Sequence, residues 1–102
     1  MEFGLSEAVI QQIRAVFVAH QAVDEVVLYG SRAKGSQQVG SDIDLCLKGE
    51  KVDFALLSKV ANELDELPIP YTVDLSIFST LDNTDLIDHI LRVGQTFYKK
   101  TA

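Results

Sequence analysis

A chain of 102 residues, 47% hydrophobic and 24% charged, has the make-up of one folded domain with a single core, expected to span 1–102; this excludes an intrinsically disordered chain. Its 15 acidic against 9 basic residues give a formal net charge of −6, which repels phosphate backbones and anionic lipid and disfavours long nucleic acid as a ligand. One cysteine makes no internal disulfide. With neither a basic-then-apolar leader nor a bilayer-spanning apolar run, the expected compartment is the cytoplasm, with no membrane partner.

In chain order, Leu5-Ser6 predicts a helix entrance, with Ser6 as N-cap and Leu5 stapled onto Ile10. That helix runs to about Ala19, because Val9, Ile13, Val16, Phe17 and His20 recur at three- and four-residue spacing. His20, at the end of the stripe, reads as a C-terminal cap or a partly exposed residue. A first strand over about Val23 to Tyr29 delivers Gly30-Ser31, and residues 31 to 34 suit a short helical turn. The Gly-Ser-Gln-Gln-Val-Gly-Ser segment at 35 to 41 is rich in turn formers and predicts a mobile loop. A second strand, Asp42 to Lys48, ends in the exposed turn Lys48-Gly49-Glu50-Lys51.

A second long helix, about Val52 to Glu66, presents Leu56, Leu57, Val60, Ala61 and Leu64 to the dry face of a sheet; Pro68 and Pro70 stop it. Residues Tyr71 to Phe78 alternate Val73, Leu75 and Ile77 against Thr72, Asp74 and Ser76, a strand with a period of two. A last helix begins near Asn83 or Thr84 and ends at Gly94, and Gln95 to Tyr98 return as a short strand. These elements describe an α/β chain with a mixed sheet and helices packed on one face. There is no internal repeat.

The chemistry concentrates in residues 26 to 48. Gly30 after a buried strand permits a tight bend with positive φ, and Ser31 brings a hydroxyl to the same corner. If 31 to 34 start a helical turn, their unpaired backbone N–H groups favour an anion over Gly30-Ser31, with Arg32 and Lys34 adding positive charge. Ten residues separate Ser31 from Asp42, after which strand parity puts Asp42 and Asp44 on one face and Ile43, Leu45 and Leu47 on the other. Two carboxylates that close raise each other's pKa unless a cation neutralises both. Mg2+ suits them, since it takes oxygen ligands and keeps waters and substrate phosphates in its shell. Asp74 has the parity to join them if its strand lies beside the second. Cys46 shares that parity, yet a free cysteine in a strand behaves as a small buried hydrophobe. His89 reads as a structural residue on the flank of the last helix, and Tyr29, Tyr71 and Tyr98 as strand-end rings with wet hydroxyls.

Gly30-Ser31, then Asp42-x-Asp44 and an apolar strand, resembles the signature of the DNA polymerase β-like nucleotidyltransferase superfamily. The wording Gly-Ser-Arg-Ala-Lys-Gly-Ser…Ser-Asp-Ile-Asp-Leu is most similar to its minimal members, the MntA-type antitoxins, and the ending from Asp85 to Tyr98 extends the likeness through nearly the whole chain. The resemblance implies a polymerase β palm-like fold in which Asp42, Asp44 and Asp74 are catalytic and bind Mg2+, two ions with nucleotide bound. It implies further that Gly30 and Ser31 hold the triphosphate of ATP, with Arg32 and Lys34 beside them. The implied activity is transfer of AMP to a hydroxyl of a partner protein, a tyrosine of a HEPN-domain toxin. Two alternatives stay open: a nucleotide-binding interaction module that neutralises or assembles with its partner without catalysis, and a small-molecule nucleotidyltransferase of the aminoglycoside type. Larger family members carry a further domain over the base, for which this chain has no residues, so base selectivity is expected to be poor or the partner to close the site. The sequence leaves homo-oligomerisation open.

Overall fold

Why each segment takes its form is visible at its ends. The computed structural model describes residues 2–101. Helix α1, Glu7–Val18, starts where the Ser6 hydroxyl accepts from the Val9 N–H at 3.3 Å, and Leu5 and Ile10 are both fully buried at its mouth. Helix α2, Ser31–Lys34, is the short turn expected after Gly30. Helix α3, Phe54–Asp65, is shorter than its apolar stripe suggested, because the Asp53 carboxylate accepts from the Leu56 N–H at 2.9 Å and fixes the start there. Helix α4, Thr84–Val93, is capped by Asn83, which accepts from the Leu86 N–H at 3.1 Å.

The strands are β1 (Glu25–Tyr29), β2 (Ile43–Lys48), β3 (Val73–Ile77) and β4 (Gln95–Lys99). They form one four-stranded mixed sheet in the order β3-β2-β1-β4, with β2 and β3 parallel and the other pairs antiparallel. The parallel pair is joined through α3, the crossover that parallel neighbours require. Residue by residue, Tyr29 stands opposite Asp44 and Asp44 opposite Asp74; one step down, Val27 stands opposite Cys46 and Cys46 opposite Ser76. Each set shares one face of the sheet.

The main core lies on the other face, where Ile10, Ile13 and Phe17 of α1 and Val60 and Leu64 of α3 meet Val26, Leu28, Ile43, Leu45, Leu47, Ile77 and Phe97. His20, just past α1, is a tether more than a cap: its Nε2 sits 3.0 Å from Glu63 of α3. The expectation of helices on one face needs correction. Helix α4 covers the opposite face through Ile90, which packs with Val27, Tyr29 and Cys46. The reason is that Val27 and Cys46 make the middle of that face apolar, so it too must be covered. Cys46 is fully buried there, and burial pushes its thiol pKa up. No helix among the described residues is long and apolar enough to cross a membrane.

Replacing Phe17, fully buried, with Ala is expected to cost about 3–5 kcal/mol in urea unfolding. Leu91→Ala, at a position 66% exposed on α4, should stay within about 0.5 kcal/mol of the wild type.

Candidate active site

The site forms where the sheet's second face runs out from under α4. Strand β1 ends in Tyr29, and the chain turns at Gly30 with φ +77° before entering α2. That φ alone favours glycine. A second constraint acts from β2: a Cβ built on Gly30 would collide with Asp44 Oδ2. The turn and the carboxylate are therefore in direct contact, and only a residue without a side chain lets them be.

Asp44 is half-buried, while Asp74 is exposed beside it on β3. Burial raises the Asp44 pKa above the ordinary carboxylate range, and the neighbouring carboxylates of Asp74 and then Asp42 raise it further. Asp42 was expected as the first residue of the strand; it instead precedes β2, in an exposed position, because the ladder begins with the Ile43 N–H donating to Thr72 O at 2.9 Å. None of the ion pairs among the described residues reaches these three carboxylates: they join His20 to Glu63, Arg92 to Asp88 and Lys100 to Asp24.

An unneutralised set of hard oxygen donors fits a divalent cation such as Mg2+ in chemistry and in charge. Among the described residues no three His, Cys, Asp or Glu side chains converge as a ready-made metal cage.

The basic residues of α2 part company. Lys34 is exposed at the end of the turn, open to an anion. Arg32, expected at the phosphates, is only 4% exposed. Its Nε and Nη2 donate to Ser41 O at 3.2 and 2.8 Å, its Nη1 donates to Phe3 O at 2.9 Å, and the guanidinium stacks on the Tyr71 ring 4.9 Å from its centroid. The direct phosphate contact gives way to a clamp, since all three nitrogens already serve backbone carbonyls. The clamp holds one end of the 35–41 loop, which sequence alone suggested would be mobile. Ser31 is half-buried at the start of α2.

Two features of the site escaped sequence reasoning. Tyr29 does not keep a wet hydroxyl: the ring is buried and its Oη lies 3.4 Å from Ser76 Oγ, so that burial, with Asp44 and Asp74 nearby, pushes its pKa up. His89, read as a structural flank residue, takes the Gly30 N–H on its Nε2 at 3.0 Å and meets the Tyr29 ring edge-on. Its only sequence signal was its place three residues past Leu86 on the helix that ends at Gly94.

A mixed sheet that sets a Gly-Ser turn against paired aspartates on neighbouring strands defines a nucleotidyltransferase-type α/β domain. The family model described as Polymerase beta, Nucleotidyltransferase matches residues 11–102, and the chain belongs to that family. No curated protein matches it significantly. Among solved structures, a toxin–antitoxin complex with AMP-PNP is 20% identical, with 89% of this chain and 73% of that one covered and a TM-score of 0.72. The MntA–HepT toxin–antitoxin complex is 16% identical, with 93% and 74% covered and a TM-score of 0.68. A complex of a tri-AMPylated HEPN toxin with its MNT antitoxin from Shewanella oneidensis is also 16% identical, with 94% and 74% covered and a TM-score of 0.68. At these identities the likeness is one of fold.

Two outcomes test the site's physics. Because the Asp44 pKa is raised in the folded chain, its contribution to stability is full below the unfolded value and is lost as pH rises through the folded one; at neutral pH the ionised group is a burden. Asp44→Asn should therefore be more stable than the wild type at pH 7 in metal-free urea titrations, and the gain should vanish in acid. Gly30→Ala should lose about 1–3 kcal/mol in the same titrations, from the positive φ together with the collision with Asp44.

Proposed function

We propose that this chain is a magnesium-dependent adenylyltransferase that moves AMP from ATP to a hydroxyl of a partner protein, and that it serves as the antitoxin of a HEPN toxin by modifying a toxin tyrosine. One observation carries the reading: Asp44 and Asp74 are register partners on parallel strands, and Asp44 Oδ2 presses against the Gly30 turn. Phosphate holder and acidic pair thus meet within one residue's reach. Two of the structures similar in fold supply donor and acceptor class by analogy, one a complex with AMP-PNP and one containing a tri-AMPylated HEPN toxin.

In the reaction the acceptor hydroxyl oxygen bonds to the α-phosphorus, the bond from that phosphorus to the bridging α,β-oxygen breaks, and pyrophosphate leaves. Asp74, exposed beside Asp44, would take the hydroxyl proton. The first-turn N–H groups of α2 and the Ser31 hydroxyl would hold the β,γ-phosphates, with exposed Lys34 adding positive charge nearby. Asp42, Asp44 and Asp74 would hold Mg2+, which would supply positive charge against the negative charge developing on the α-phosphate and the departing pyrophosphate. Arg32 serves at one remove, by fixing the loop that leads into Asp42.

The interaction-module reading is favoured by one feature, the lack of a convergent three-ligand group among the described residues. Intact-protein mass spectrometry separates the two. A HEPN-domain partner incubated with this chain, ATP and Mg2+ is expected to gain AMP, and to gain none with EDTA, Asp44→Ala or Asp74→Ala; peptide mapping should place the group on a tyrosine. An unmodified partner that is still neutralised would establish the interaction module instead.

A further inference from the structure

The antiparallel ladder between β1 and β2 ends at the pair Tyr29–Asp44, so the Gly30 N–H lies beyond the last strand pair. Its partner is a side chain 59 residues later, His89 on α4, at 3.0 Å. An amide can only donate, so the ring nitrogen must accept: Nε2 is bare and the imidazole proton sits on Nδ1. Gly30 also N-caps α2 and offers no side chain to hold that end. This long-range bond ties the Gly30 N–H to α4 at the point where the turn enters α2.

The position of His89 is itself determined. Its neighbour Ile90 is 3% exposed, locked between Val27, Tyr29 and Cys46. At the end of α4, a Cβ on Gly94 would come within 2.7 Å of Val27 Cγ1, so glycine there lets the helix lie directly on β1. The Tyr29 ring meets the imidazole edge-on at 6.2 Å between centroids and 81° between planes. Helix register, close approach and the ring edge together aim Nε2 at Gly30.

We infer that His89 is a positioning residue of the nucleotide site: its imidazole, unprotonated at Nε2, takes the Gly30 N–H and sets the turn that receives the triphosphate. The inference rests on the nucleotide-binding half of the function proposed above. It does not depend on AMP transfer. A residue that only filled space on α4 would need no acceptor at this position, whereas a positioning residue needs an acceptor atom and no more.

The test uses the full chain with Mg-ATP. In the wild type, ¹⁵N spectra of the imidazole should show Nδ1 protonated and Nε2 bare, with the Gly30 amide proton shifted by its bond. By calorimetry, His89→Ala should weaken Mg-ATP binding about tenfold, the equivalent of one hydrogen bond. His89→Gln, which carries a carbonyl oxygen to the region of Nε2, should recover most of that affinity, and His89→Leu should not. Thermal melts check folding, and if His89→Ala does not fold, the glutamine and leucine variants and the wild-type spectrum decide. A proton on Nε2, equal affinity in the leucine variant and the wild type, or a glutamine variant no better than leucine would overturn the inference, as would a wild type that binds no Mg-ATP. A wild type that binds Mg-ATP in the predicted pattern but transfers no AMP would leave His89 in its role and remove only the catalytic reading.

Discussion

The parallel pairing of β2 with β3 brings two carboxylates face to face, and the surrounding structure answers to that constraint. Asp44 stands opposite Asp74, with burial and its acidic neighbours working against its ionisation. Sheets do not ordinarily set like charges directly opposite, because the pair is destabilising. Among the described residues no ion pair reaches either carboxylate: all of them lie elsewhere. In the proposed function that charge is left for a magnesium-bound nucleotide to neutralise.

Around that pair the fold divides its labour between two faces. One is covered by α1 and α3 and contains nearly all of the large buried side chains. The other is only part covered, by α4, over Val27, Tyr29 and Cys46. Asp44 and Asp74 lie at the uncovered end of that face. A helix that reached farther would bury the carboxylates, and none at all would leave the apolar middle of the sheet wet. The half-cover both completes the core and leaves the acidic edge open.

Arginine 32 illustrates how a charge near a site can serve it without touching a ligand. Its guanidinium is buried, stacked on Tyr71 and spent on the carbonyls of Ser41 and Phe3. That ties the segment before Asp42 to the start of the chain. Sequence proximity to Gly30-Ser31 suggested a phosphate contact because composition does not reveal which way a helical turn faces. Lys34, two residues on, faces out.

Much of this was legible in the residues themselves. The Ser6 cap, the short turn after Gly30, the alternation of β3 and the stop at Gly94 are local matters of backbone conformation and periodicity, and local rules decide them. The parity of Asp44 and Asp74 is also local, since it follows from the two-residue repeat of a strand. What periodicity cannot give is which strands are neighbours, and in what register. The row Tyr29–Asp44–Asp74, the second helical layer and the long reach of His89 to Gly30 all depend on segments far apart in the chain. The sequence by itself determined the elements and the acidic and glycine residues on which the proposed chemistry rests. Only the tertiary structure decided that Arg32 turns inward and His89 turns to the site, because both outcomes depend on where distant backbone carbonyls and amides come to rest.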